Sequence, residues 1–556
     1  MHDKGSIQAV NLHLRDFTHH IKFDGELSRT ARFAKSKLAA KFEEPTSDNA
    51  AERRKDAWSR WIGSDGGLQR GRLLGPHWAK ARLIVHEILD DFHLGDLVFT
   101  NGSSFEPLGN RVSVACKLTE TWTITHDCFD LFAKYSYWHR ALKFSCKKRF
   151  ESYCRRKGLS LSAVNKKLYR RFRFSPNIGF EAYKFKLWCV VTFVQGNRWS
   201  TVPKNNLKDR SICLEPLCNM LVQRAVGLGI RACLRDKLGI DLDTLANHHR
   251  SRISDPKVAT IDLSDCSDTI SIWLTEYLLP KRVLNKVLAS RSVMTLGPDD
   301  NFYVINKVSS MGNGYTFDLM TLILTALTRS FDPTSTVFGD DIICQNQVAD
   351  DVVDSLKIAG FTVNQEKTLI NSDYRESCGA HFIDGEGYIT VFDIRWLKTL
   401  HDLIVACNKV AILSYIYGEP FTSLMKTIWT CVPVTLLGAT VERPTVHMGR
   451  PPSYDLDTYI RYGPTIYVNP KKNVLRTLRR FSGSCHKTGR YSVALGVECR
   501  LAPASRQLSS QQWDVFFQYI RNSRLSRKIP RMVFKSTLVA RVGEEQIDFV
   551  RALLPK

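Results

Sequence analysis

The stretch Thr334–Gln347, "TSTVFGDDIICQNQ", sets two adjacent aspartates after a glycine, with a short apolar run on each side. Such runs around Gly-Asp-Asp predict a β-hairpin, Val337-Phe338 pairing with Ile342-Ile343 and both acids at its tip. Asp and Gly are also ordinary turn residues, so the tripeptide alone reads equally well as a solvated turn. Two like charges this close resist joint ionisation unless a cation lies between them. A third carboxylate and a polyanionic substrate would decide the question.

Upstream, "VATIDLSDCSDTISIWLTEYLLP" (Val258–Pro280) begins as a β-like run and turns helical. Ile270, Trp273, Leu274, Tyr277 and Leu278 follow helical spacing, with Ser267 as the expected N-cap and Pro280 as the stop. Asp262 then falls at the end of a strand. "SSMGNGYTFDLMTLILTAL" (Ser309–Leu327) joins a glycine-punctuated loop to an apolar helix, and "VADDVVDSLKIAG" predicts an amphipathic helix closed by Gly360. The order is strand, helix, loop, helix, hairpin, helix, strand, which is α+β with a small antiparallel sheet backed by helices. Neighbouring strands would bring Asp262, Asp340 and Asp341 to one edge. Hard carboxylate oxygens suit magnesium, and two such ions serve an in-line nucleotidyl transfer from a triphosphate to a 3′-hydroxyl.

The whole chain supports a polyanionic substrate. Its 556 residues carry 79 Lys and Arg against 55 Asp and Glu, a net charge of +24, which points to nucleic acid. The length suggests roughly three subdomains. The longest apolar run, "LMTLILTAL" from Leu319, is too short to span a bilayer. The opening "MHDKGSIQAV" does not read as a signal peptide. Fifteen cysteines without a C-x-x-C pair are expected of a reduced, cytoplasmic protein rather than of a zinc or disulfide framework. Near the N-terminus Ala81, Ile84, Val85, Ile88, Leu89 and Phe92 predict an amphipathic helix that packs against the core.

Several segments are candidates for binding. "KFSCKKRFESYCRRKGLSLSAVNKKLYRRFRF" (Lys143–Phe174) interleaves Lys and Arg with Phe and Tyr, a mixture that neutralises phosphates and stacks bases of single-stranded RNA. The alternative is a solvated basic face with buried aromatics. "NRWSTVPKNNLKDRSICLEP" supplies Arg198, Lys204, Lys208 and Arg210 ahead of the acids, the charges an incoming triphosphate needs. The "MGNG" loop offers flexible backbone and the Asn313 amide near a ribose or template base. Lys367, after "FTV", is placed to protonate departing pyrophosphate.

Six segments carry a resemblance: "STVPKNNLKDR", "IDLSDCSDTIS", "SSMGNGYTFDL", "FGDDIIC", "GFTVNQEKT" and "RESCGAHF". Together they resemble successive motifs of the RNA-directed RNA polymerases of positive-strand RNA bacteriophages, close to the levivirus replicase β subunit of the Qβ type. The likeness covers roughly residues 175–395. It implies a right-hand fold of fingers, palm and thumb. Residues 1–95 would bridge fingers and thumb, 96–255 form the fingers with part of the palm, 256–400 the palm, and 401–556 the thumb and C-terminal region.

By the same resemblance Asp262, Asp340 and Asp341 hold two Mg²⁺ ions, with Mn²⁺ as a substitute, Lys204 and Arg210 grip the triphosphate, and Lys367 is a general acid. The implied partners are a single-stranded RNA template, nascent RNA and NTPs. Host elongation factors Tu and Ts and a large small-subunit ribosomal protein would join them in the cytoplasm of an infected bacterium, with no membrane. The chain departs from the family pattern in three places. Phe338 replaces a more usual tyrosine, and Ser267 and Met320 stand where many RNA polymerases place an Asp and an Asn. Asp268 and Asn313 are therefore the expected ribose readers. A reverse transcriptase, and a non-enzymatic RNA-binding protein using only the basic surface, are the competing expectations.

Overall fold

The computed structural model describes residues 2–19, 28–42, 50–66, 68, 75–99, 103–106, 117, 120–204, 208–398 and 400–431. Of the region expected to form a thumb, only residues 401–431 fall within this set. Part of the "KNNL" stretch lies outside it.

Strand Asp341–Gln345 is the centre of a three-stranded antiparallel sheet, with Val258–Ile261 on one side and Thr336–Phe338 on the other. Its β-branched residues suit a pleated surface buried on both faces, and Val337, Ile342 and Ile343 are fully buried. The expected hairpin is present, but its register corrects the sequence reading. Phe338 pairs with Asp341, Val337 with Ile342 and Thr336 with Ile343. The turn therefore has two residues, Gly339-Asp340, and Asp341 opens the returning strand instead of sitting at the tip. Gly339 has φ +66°, at the first central position where tight hairpin turns favour glycine. A Cβ there would lie 2.6 Å from the Phe317 ring.

Helices Pro76–Ile88, Leu217–Leu238 and Thr316–Arg329 pack together over this sheet in one hydrophobic core. The first confirms the amphipathic helix expected around Ala81 and Val85, both fully buried. Leu217–Leu238 is long and apolar enough to cross a membrane by length and composition, yet it is mostly buried in the fold. Ala349–Ile358 closes as expected, with Gly360 at φ +96°.

The helix after Asp262 is shorter than its periodicity suggested. Residues Cys266–Asp268 form a 3₁₀ turn, and the helix runs Ile272–Leu278 with Ser271, not Ser267, accepting from the Leu274 N–H. Local turn chemistry overrides the apolar spacing there, since Asp268 N–H bonds back to the Asp265 carbonyl. The helix Lys281–Ser290 and the paired strands Met294–Leu296 and Phe302–Val304 were absent from the expected order. Those strands extend a four-stranded sheet through Gly196–Pro203 to Asp209–Leu214, so the basic segment is carried on an edge hairpin.

Two N-terminal pieces reach far along the chain. Helix Ala50–Gly66 lies against strand Asp209–Leu214 and the 3₁₀ turn. Helix His2–His19 shares a separate core with helices Leu400–Tyr417 and Phe421–Thr430. There Asn11 Nδ2 donates to the Leu397 carbonyl at 3.0 Å, and Leu397 N–H returns a bond to Asn11 Oδ1 at 2.9 Å.

Candidate active site

The sheet register assembles the acids. Ile261 is paired with Ile342, so the next residues outward, Asp262 and Asp341, leave adjacent strands at the same edge, with Asp340 beside them on the turn. A second short pairing, Leu263–Ser264 against Thr362–Val363, brings the following turn over Asp262. Asn364 Nδ2 donates to Asp262 Oδ2 at 2.8 Å, and Lys367 Nζ stands 3.6 Å from the same oxygen.

Asp341 Oδ2 accepts the Cys378 N–H at 3.2 Å, from the tip of the hairpin Tyr374–Ser377/Ala380–Ile383. Burial, then repulsion from Asp340 and Asp262, pushes the Asp341 carboxyl up to about 6. Asp340 reaches solvent at the tip, but crowding beneath it and the Asp262 charge raise it as well, against the pull of Lys367 and Arg210. Mutual repulsion of this kind is what a bound cation relieves.

Among the described residues no group of three His, Cys, Asp or Glu side chains is drawn close enough to hold a metal ion. The donor chemistry still fits magnesium, being carboxylate oxygen without thiolate or imidazole. Lys367 is one of the cations the acids face, with Arg210. Although burial opposes its charge, Asp262, Glu376 and Asp341 hold its pKa above the usual lysine value, so it keeps a proton to give.

The other expected site residues divide. Arg210, exposed on its strand, acts on Asp340. Lys204 closes the hairpin turn, its N–H bonded to the Lys208 carbonyl at 2.9 Å, and no described contact ties it to the acids. Asn313 is buried, and its Oδ1 accepts the Tyr315 N–H at 3.0 Å. The loop around it is pinned, contrary to the expectation of flexible backbone. Gly312 has φ +109°, and a Cβ there would lie 2.1 Å from the Cys213 carbonyl oxygen. Gly314 N–H donates to Gln223 Oε1 at 3.2 Å.

Asp268 is 9% exposed. The Trp61 indole N–H donates to its Oδ1 at 3.1 Å and to Ser310 Oγ at 3.2 Å. Burial pushes the Asp268 carboxyl up to about 6, countered chiefly by Lys307 and by the Ser310 hydroxyl. Lys307 is buried too, donating to the Trp61 carbonyl at 2.8 Å and Ser64 Oγ at 3.0 Å while lying 4.0 Å from the Trp61 ring.

The basic segment forms helices Arg140–Arg156 and Leu161–Phe172. Arg149 is not a surface charge: its guanidinium donates to the Glu120 carbonyl at 2.7 Å and covers the Trp122 ring. Phe150 is buried, whereas Phe144, Tyr169 and Phe174 are exposed. The aromatics of this stretch are thus divided between core and surface.

Trp61, Asn364 and Cys378 had not been anticipated. Their partners lie 207, 102 and 37 residues away, and no local pattern marks an indole, an amide or a backbone N–H for such a role.

Carboxylates leaving adjacent strands at one edge of an antiparallel sheet, with Arg210 acting on one of them, make an acidic site of oxygen donors. The chain belongs to the family described as "RNA replicase, beta-chain", whose model matches residues 161–444. It is similar to the RNA-directed RNA polymerase subunit beta of Enterobacteria phage SP, 38% identical over 227 residues, covering 38% of this chain and 39% of that one. The corresponding subunit of Escherichia virus Qbeta is 39% identical over 234 residues, covering 40% and 38%. The beta chain of Escherichia phage MS2 is 32% identical over 330 residues, covering 56% and 59%. The chain thus spans about two fifths of the length of the first two relatives. The RNA-dependent RNA polymerase of a human picorbirnavirus aligns only distantly, at 13% identity and TM-score 0.31 over 43% of this chain and 56% of that one.

Proposed function

We propose that the chain is an RNA-directed RNA polymerase, the catalytic subunit of a phage replicase that copies a single-stranded RNA genome from NTPs. One observation carries the reading: the pairing of Ile261 with Ile342 sends Asp262 and Asp341 to the same sheet edge as Asp340, in a chain of the replicase family. The three carboxylates would hold two Mg²⁺ ions, or Mn²⁺, which when bound would acidify the 3′-hydroxyl of the nascent RNA and neutralise charge on the leaving pyrophosphate. Arg210, with Lys204 at the end of the same hairpin, meets the triphosphate of the incoming nucleotide. The 3′-hydroxyl releases its proton to water as its oxygen bonds to the α-phosphorus, the bond from that phosphorus to the bridging β-phosphate oxygen breaks, and Lys367 gives its proton to that oxygen. Asp268 and Asn313 read the ribose.

In this reading the three-stranded sheet and helices Thr316–Arg329 and Ala349–Ile358 belong to the palm, 256–400, and helices Pro76–Ile88 and Leu217–Leu238 pack against it from outside that range. Residues 96–255 form fingers and part of the palm, 1–95 bridge to a thumb, and 401–556 supply the thumb and C-terminal region. The partners are template and nascent RNA, with elongation factors Tu and Ts and a large ribosomal protein in the host cytoplasm.

The test is template-directed incorporation of labelled GMP by the purified chain supplied with host factors. Asp340→Asn and Asp262→Asn should each leave under a tenth of wild-type elongation while RNA binding persists. Elongation above that level overturns the metal-ligand assignment. Incorporation of dNTPs in preference to NTPs would favour a reverse transcriptase, and RNA binding with no synthesis under any host supplement would leave only a binding protein.

A further inference from the structure

Helix Ala50–Gly66 comes from the far N-terminal part of the chain, yet it ends against the 3₁₀ turn that carries Asp268. Its attachment is unusually polar for a buried contact. Asp65, 4% exposed, accepts the backbone N–H groups of Asn306 and Lys307, each at 2.9 Å. Lys307 returns two bonds to the helix end and lies over the Trp61 ring. These contacts fix the helix to the segment leading into the "SSMGNG" loop. Trp61 itself is 3% exposed, packed by Trp58, Trp199, Cys213 and Ile305, so its ring has little freedom to turn.

What this rigid indole presents is a single N–H, shared between Asp268 Oδ1 and Ser310 Oγ. Packing alone would be satisfied by any large apolar ring. An indole donor aimed at a carboxylate adds direction. The indole bond and the Ser310 hydroxyl, which also acts on Asp268, together limit how its carboxylate can turn. The hydroxyl at Ser310 is tied to the same donor, so a residue from each of the two expected nucleotide-contacting segments is referenced to one side chain outside both.

We infer that Trp61 is a positioning residue for ribose selection, its indole N–H setting the orientation in which Asp268 meets the nucleotide 2′-hydroxyl. The inference rests on the reading of Asp268 as a ribose contact. A site preorganised to bond a substrate hydroxyl rejects the substrate lacking it because the protein group is then left unpaired. A carboxylate free to rotate would find another partner, and that penalty would shrink.

The experiment is single-nucleotide incorporation of GTP and dGTP opposite template C by the full chain with its host factors, comparing kcat/KM ratios. Trp61→Phe removes the donor and keeps a ring against Lys307. It should lower the ribose preference about threefold to tenfold, the scale of one hydrogen bond, mainly by improving relative use of dGTP. Replacing Trp61 with 3-benzothienylalanine, which keeps the bicyclic shape and lacks the N–H, should do the same and covers the case in which the phenylalanine variant fails to fold. Asp268→Ala is run beside them. If Asp268→Ala lowers the ratio and neither Trp61 change does, the positioning role is overturned while the ribose contact stands. If none of the three moves the ratio and all slow both nucleotides equally, the reading of Asp268 falls and the inference with it.

Discussion

Asp268 sits among Trp61, Ser310 and Lys307 with its carboxyl pushed up to about 6 by burial, whereas an unfolded aspartate titrates near 3.9. Between those values the folded protein binds the extra proton, so this group's contribution to stability falls as pH rises from about 4 to 6. A shift of this size corresponds to roughly 3 kcal/mol at full effect. Asp268→Asn keeps an oxygen for the Trp61 donor and has no charge to bury. It should therefore be more stable than wild type at pH 7, with the advantage shrinking towards pH 4. Urea unfolding across that range checks this, and a difference independent of pH would contradict it. Asp262, Asp340 and Asp341 were legible in the sequence because each is the first polar residue after, or inside, a short apolar strand. The Trp61 contact was not, because nothing near residue 61 encodes a partner 207 positions on.

Helices Leu217–Leu238 and Thr316–Arg329 are joined by charge as well as by apolar packing. Asp318, fully buried, accepts Arg231 Nε at 2.9 Å and Arg224 Nη1 at 3.3 Å. Gly227 makes room for this contact, since a Cβ there would lie 2.5 Å from Asp318 Oδ2. Removing the carboxylate leaves two arginines of one helix without their shared partner in a buried interface, and Asp318→Ala should cost about 3 kcal/mol in chemical unfolding. A loss below about 1 kcal/mol would mean that solvent relieves the arginines. Element order was partly readable: strand, apolar helix, hairpin and amphipathic helix follow from periodicity and glycine placement. The pair Met294–Leu296 and Phe302–Val304 escaped because three-residue strands carry too little alternation to register. The cap shifted from Ser267 to Ser271 because serine marks a helix start only where the backbone is free to begin one, and the 3₁₀ turn already occupies residues 266–268.

Across the whole molecule, a net charge of +24 predicts RNA affinity that falls steeply and log-linearly with salt. Burial now distinguishes the cations that contribute. Lys147, Arg155 and Arg156 are exposed on helix Arg140–Arg156, while Arg149 is spent on Glu120 and Trp122. Replacing the exposed three with glutamine should reduce the salt slope for single-stranded RNA by about two. Arg149→Gln should leave the slope unchanged and lower stability instead, and filter binding over a salt series separates the two. The pairing of Asn11 with Leu397 has a consequence of a different kind. Helix His2–His19 buries Val10 and Leu14 against Leu403, Leu413 and Phe421, and its anchor lies 386 residues downstream. At a ribosomal pace of roughly 5–20 residues per second, the first helix emerges and then waits roughly 20 to 80 s for its partner. For that interval its apolar residues have helix Arg29–Ala39 beside them but not their C-terminal partners. The newly made chain therefore passes through a vulnerable window during translation, which closes only when synthesis has gone past residue 421.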